Sequence, residues 1–189
     1  VQALLKKAAK LDIEKICPLH GPVLADNLGY YLGLYNTWSS YGVESDGITI
    51  AYTSVYGNTK QAAQYLANKM REKGCLKVAL NDLARCDMAE AVEDAFRYGR
   101  LVLATTTYNG DIFPFMRTFI EALRERGYQN RRIGFVENGS WAPTAARIMR
   151  QLLEDGKNLG FADTTVSIKS ALTDENKAQL DKLADEMLA

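Results

Sequence analysis

From residue 48 onward the chain alternates short apolar runs with amphipathic segments. The runs are Ile48–Tyr52, Lys77–Leu80, Leu101–Thr106, Arg132–Val136 and Thr165–Ile168, bounded by Gly, Asn, Asp or charge. Runs of this kind predict strands covered on both faces, as parallel sheets require. Between them, apolar residues recur at helical spacing. The stripes are Ala62, Ala63, Tyr65, Leu66, Ala67 and Met70; then Met88, Val92, Ala95 and Phe96; then Met116, Phe119, Ile120 and Leu123. Ala145, Ile148, Met149, Leu152 and Leu153 form a fourth, and Leu180, Leu183, Met187 and Leu188 end the chain. Gly74 and Gly127 are placed to close the first and third helices, and Pro143 to start the fourth. Five strand–helix units in a row imply a doubly wound α/β fold, a parallel sheet of order 2-1-3-4-5 with helices on both faces.

Residues 1–45 stand outside that pattern. Val1–Lys10 reads as the end of a helix, followed by the extended Ile16-Cys17-Pro18-Leu19-His20-Gly21-Pro22. Leu28–Trp38 predicts an aromatic-rich helix carrying Tyr30, Tyr31, Leu34, Tyr35 and Trp38. Ser39–Gly47 reads as a polar, glycine-containing linker. The segment is too short to bury a core of its own, so the expected division is 1–45 as a helical and extended appendage and 46–189 as the α/β domain. A start at Val1 rather than Met fits a piece of something longer.

Composition narrows the function classes. The 189 residues hold 23 Lys and Arg against 23 Asp and Glu, so no basic excess points to nucleic acid. No apolar run approaches a membrane span and no apolar signal core opens the chain. Cys17, Cys75 and Cys86 form neither a metal-type pair nor a disulfide framework, which suits a reducing cytoplasm.

The chemistry concentrates where strands end. In an open α/β sheet, ligands sit beyond the carboxyl ends of the strands where the strand order reverses, here between the first and third. After the first strand comes Thr53-Ser54-Val55-Tyr56-Gly57-Asn58-Thr59, a hydroxyl-rich turn feeding a helix. Such a turn offers backbone amides, hydroxyls and a helix N-terminus to a phosphate, and Gly57 allows close approach. It has neither the GxxxxGK[ST] nor the GxGxxG spacing. An ordinary capped strand–helix turn is the competing reading. After the third strand comes Thr105-Thr106-Thr107-Tyr108-Asn109-Gly110-Asp111, and after the fourth Glu137-Asn138-Gly139-Ser140-Trp141-Ala142-Pro143. A phosphate cradle with two loops pairing an aromatic with glycine and amide groups suits a phosphorylated, flat, hydrogen-bonding ring. Tyr108 and Trp141 could equally be plain core or surface aromatics, and Gly110 a simple turn residue.

The run YTSVYGNT resembles the phosphate loop of flavodoxin-like proteins. Together with TTTYNG and the upstream ICPLHGPVL, it resembles the flavodiiron proteins in particular. In that family a metallo-β-lactamase-like diiron domain precedes a flavodoxin-like FMN domain. The resemblance implies that residues 1–45 are the last piece of the diiron domain and 46–189 the flavodoxin-like domain. It assigns Thr53, Ser54, Val55, Tyr56, Gly57, Asn58 and Thr59 to the FMN phosphate, and Thr106, Thr107, Tyr108, Asn109 and Gly110 to the ring. Gly139, Ser140 and Trp141 match a third flavin loop. Gly110 would let the Asn109–Gly110 peptide reorient toward the flavin, and Asp111 would add negative charge if near the ring. His20 matches an iron ligand of the diiron domain, whose other ligands the chain lacks.

The implied function is an electron-transfer domain of an oxygen or nitric oxide reductase. It would receive electrons from rubredoxin or a reductase, within a head-to-tail homodimer, and pass them to a diiron site outside this chain. Alone it would bind FMN without reducing oxygen to water catalytically. Two alternatives share the fold. One is a free-standing flavodoxin or flavin-dependent NAD(P)H:acceptor reductase, which the neutral net charge disfavours as a shuttle. The other is a cofactor-free receiver-like signalling domain, which needs acidic residues where Thr53-Ser54 and Thr105–Thr107 stand.

Overall fold

The computed structural model describes all residues from Val1 to Ala189. They form two compact units, Val1–Glu44 and Ser45–Ala189. In the first, α1 (Gln2–Ala8) and α2 (Leu28–Ser39) are tied through the Gln2 amide, whose Nε2 donates to Asn36 Oδ1 at 3.0 Å and Ser39 Oγ at 2.9 Å. Between them Ile16 and Leu24 exchange both backbone hydrogen bonds at 2.9 Å and close the loop that carries His20. Neither helix buries a side chain completely, and Tyr30, Tyr35 and Trp38 are exposed within the chain.

The second unit is a three-layer α/β sandwich. Its strands are β1 (Ser45–Tyr52), β2 (Val78–Asp82), β3 (Tyr98–Tyr108), β4 (Asp111–Ile112), β5 (Arg132–Asn138) and β6 (Gly160–Ile168). The sheet order is β2-β1-β3-β5-β6, every pair parallel, with β4 a short antiparallel addition to β3. Counting the parallel strands alone, this is the expected 2-1-3-4-5. The helices are α3 (Asn58–Glu72), α4 (Met88–Arg97), α5 (Pro114–Glu125), α6 (Ala145–Leu153) and α7 (Asp174–Leu188). Helices α3 and α7 cover one face, where Leu66 and Met70 pack with Leu180, Leu183, Ile48 and Ile50. Helices α4, α5 and α6 cover the other, where Val92, Phe119 and Met149 pack with Leu101, Leu103 and Phe135. Alternate residues of β3 feed the two cores, which explains why its sequence shows no polar alternation.

Two local expectations shift. The region Ser39–Gly47 is not one linker: Ser39 closes α2, and Ser45–Gly47 already belong to β1. Gly47 is a close-approach residue, since a Cβ there would lie 2.7 Å from both the Lys77 carbonyl oxygen and the Tyr98 ring. Pro143 precedes the Thr144 N-cap of α6 rather than starting it, whereas Pro114 occupies the first turn of α5. No helix is long and apolar enough to cross a membrane.

Candidate functional site

A hollow of about 250 Å³ opens at the carboxyl edge of the sheet, over the ends of β1, β3 and β5. Ser54, Val55, Tyr56, Asn58 and Thr59 line it from the first loop, Thr106, Thr107 and Tyr108 from the second, and Gly139 and Ser140 from the third. Two further residues line it: Asn138, which the sequence placed in the third loop without a role of its own, and Ser170, which carried no sequence expectation. The lining contains no charged side chain. A roomier hollow of about 470 Å³ lies at the opposite edge, where Arg124 is paired with Asp155 at 3.2 Å. It holds none of the strand-end hydroxyls.

The first loop is built to leave donors open. Gly57, at φ +91, is the N-cap of α3 and supplies no side chain, so no side chain caps the helix. The first intrahelical bond runs from Gln61 N to Gly57 O, which places the amides of Asn58, Thr59 and Lys60 ahead of the ladder. Ser54 Oγ accepts from the Gly57 amide at 3.1 Å, holding the turn and leaving its own O–H to donate elsewhere. Thr59 is buried, and its Oγ1 has no hydrogen-bond partner. A buried hydroxyl on the wall of a hollow, beside an uncapped helix N-terminus, fits a bound anion.

Of the other helices that start at this edge, α5 has no side-chain cap and opens on Pro114, which has no amide N–H to offer, while α4, α6 and α7 are closed by protein groups. Asp87 caps α4 at 2.8 Å, and Thr173 with Asn176 forms a capping box on α7. Thr107 Oγ1 accepts from the amides of Thr144 and Ala145 at 3.0 and 3.3 Å, and the buried Glu137 carboxylate accepts from Ala146 N at 2.8 Å. Ser167 Oγ donates to the second Glu137 oxygen at 2.7 Å. Thr107 therefore lines the hollow while its oxygen is committed to α6.

The remaining expected residues fall as follows. Thr53 is fully buried behind the turn and shares a hydrogen bond with Thr105, Oγ1 to Oγ1, so it supports the loop without lining the hollow. Asn109 and Gly110, at φ +51 and +71, are the two-residue turn that joins Tyr108 to its β4 partner Asp111. Positive φ at both positions is the demand of a type I′ hairpin, and Asn-Gly is its sequence signature. Asp111 is not a free negative charge, because Arg117 Nη2 donates to both its oxygens at 2.5 and 2.6 Å. That guanidinium, with the Ile112 amide, lowers the Asp111 pKa against a smaller opposing effect of burial. Tyr108 leans edge-on against Phe113 with centroids 5.3 Å apart. Trp141 is 96% exposed and, like Asn109 and Gly110, does not line the hollow.

His20 lies exposed in the first unit. No three or more His, Cys, Asp or Glu side chains converge to hold a metal, so a diiron centre does not fit the residues of this chain.

The sequence pattern of the flavodoxin domain matches residues 49–165. The chain belongs to the flavodoxin domain family. Its relatives include the anaerobic nitric oxide reductase flavorubredoxin of Escherichia coli O1:K1, 26% identical over 161 residues that cover 85% of this chain and 33% of the relative. Among solved structures, the rubredoxin oxygen:oxidoreductase from Desulfovibrio gigas superposes with a TM-score of 0.88 at 22% identity, over 98% of this chain and 46% of that one. The flavodiiron protein from Giardia intestinalis gives 0.86 at 20% identity, over 99% of this chain and 47% of that one. The flavodoxin-like fold and the kinship to flavorubredoxins and flavodiiron proteins read from the sequence are thus borne out. The chain spans about a third of the flavorubredoxin's length.

Proposed function

We propose that this flavodoxin domain binds FMN and relays electrons within a larger flavodiiron-type reductase. The observation that carries the reading is the open α3 N-terminus with the buried, unpartnered Thr59 hydroxyl beside it. A phosphate monoester carries nearly two negative charges at neutral pH, and no lysine or arginine lines this hollow. The amides of Asn58, Thr59 and Lys60 and the hydroxyls of Ser54 and Thr59 would hold it by charge-assisted bonds, each contributing about 1.5–3 kcal/mol. The hollow, at about 250 Å³, has room for the phosphate and polyol chain but is small for a whole ring system. The ring would then lie at the rim beside Tyr108, with the exposed Tyr56 and Trp141 available around it.

Bound FMN supplies reversible electron transfer; the chain's residues bind it, orient it and set its electrostatics. Arg117 neutralises Asp111, so the second loop presents hydrogen-bonding groups and an aromatic face without adding net charge. Names of the relatives point to rubredoxin-type donors and to oxygen or nitric oxide as acceptors. We assign the diiron chemistry to residues outside this chain, in a head-to-tail homodimer as the sequence resemblance implies, with a rubredoxin or reductase as donor and residues 1–45 as the tail of the diiron domain.

The test is a visible spectrum with FMN titration and iron analysis on the purified chain. The expected result is about one FMN per chain with a flavin absorbance, and no catalytic oxygen consumption. Iron bound in place of flavin, or no flavin uptake, overturns the reading.

A further inference from the structure

The loop between β6 and α7 supplies a fourth wall to the hollow. Asn138, at the end of β5, clasps Ser170 by its backbone: Nδ2 donates to the Ser170 carbonyl at 2.9 Å and Oδ1 accepts from the Ser170 amide at 3.0 Å. Ser170 sits at φ +70, a region that costs a non-glycine residue of order 1 kcal/mol and persists where surrounding contacts dictate it. The Asn138 amide is the group that dictates it here. Both residues line the hollow, Ser170 is exposed there, and its hydroxyl has no partner within the protein.

The face from which Ser170 enters identifies what it meets. Its loop leads into α7, which shares a core with α3 and is joined to it where Tyr65 Oη donates to Asp181 at 3.0 Å. Ser170 therefore approaches from the α3 side of the sheet, where the uncapped helix end and the unpartnered Thr59 hydroxyl lie. Tyr108 and the β4 hairpin lead instead into α5, on the opposite face.

We propose that Ser170 is a ligand of the phosphate monoester of the bound flavin, donating its hydroxyl to a phosphate oxygen, and that Asn138 is the positioning residue that holds it there. The proposal rests on the flavin reading above. Ser170→Ala removes the hydroxyl at an exposed site, Ser170→Gly removes it while relieving the positive φ, and Asn138→Ala releases the clasp. Each apoprotein, made from the full chain, is titrated with FMN and with riboflavin by quenching of flavin fluorescence. Both Ser170 variants should bind FMN about tenfold more weakly, the lower end for a bond to a charged group. Asn138→Ala should weaken FMN binding at least as much, and none of the variants should alter riboflavin affinity by more than about twofold. The ³¹P resonance of bound FMN should move in Ser170→Ala. Wild-type FMN affinity in Ser170→Ala, an unmoved ³¹P resonance, or equal losses for FMN and riboflavin overturns the proposal and leaves the flavin reading standing. Failure of the unaltered chain to bind FMN overturns both.

Discussion

The hydroxyls of Thr53 and Thr105 meet at 2.5 Å, both fully buried, where β1 and β3 run side by side toward their loops. The pair locks the base of the first loop, Thr53–Thr59, to the base of the second. Thr53→Val leaves the Thr105 hydroxyl buried and unpaired, an expected loss of about 1–3 kcal/mol. Replacing both by valine removes the orphan and should recover most of that loss, as urea denaturation of the apoprotein would show. A double variant as unstable as the sum of the singles would refute the pairing.

Thr59 should behave in the opposite sense. Its hydroxyl is already without a partner, so Thr59→Val keeps the shape and removes a desolvated polar group. The apoprotein should be as stable as the parent or slightly more so, while FMN affinity falls about tenfold or more. Thr59→Ser should retain binding. Calorimetric titration beside a thermal melt separates the two effects, and a parallel loss of both would assign Thr59 a purely structural role.

Gly47→Ala tests the strand assignment of a residue that looks like linker. Its new methyl would meet the Lys77 carbonyl and the Tyr98 ring at 2.7 Å. Overpacking of this kind costs about 1–3 kcal/mol. The urea midpoint should drop with little change in slope. No shift would mean that the β1 and β2 edge yields easily.

The Asp111–Arg117 pair carries an acid dependence. Asp111 titrates below its ordinary value of 3.8 in the folded chain, chiefly because Arg117 hydrogen-bonds its carboxylate. Its contribution is therefore fully present above the unfolded pKa and is lost as pH falls through the lower folded one. Both side chains are partly exposed, so the effect is modest and weakened by salt. The stability gap between the parent and Asp111→Asn should be constant near neutrality and shrink as pH drops below about 4. A gap that persists at the acid end would exclude the ion pair as its source.

The parallel strands were legible because each is buried on both faces and reads as an unbroken apolar run, as in Leu101–Ala104. Helices announced themselves by spacing and by closing glycines such as Gly74, which does adopt a left-handed φ of +95. The open turn before α3 was legible too, since its hydroxyl density and Gly57 are local. What escaped depends on partners far along the chain. Gly47 is constrained by Tyr98, Thr107 is committed by α6, and Ser170 is placed by Asn138. The hairpin at Asn109-Gly110 did have a local signal, but its strand β4 is only two residues long and leaves no periodicity. Trp141 shows the converse: an aromatic beside glycine and serine suggests a site wall, while its indole projects into solvent.

The contrast between α3 and α6 has a directional consequence. At one edge of one sheet, Thr107 and Glu137 saturate the start of α6, while the start of α3 keeps its donors for a visitor. A molecule with an anion at one end and a ring at the other would thus be anchored by its anion at α3, the open helix start that lines the hollow, and its heading would be fixed. On the proposed reading its reactive end would face outward along the rim, where another protein could reach it.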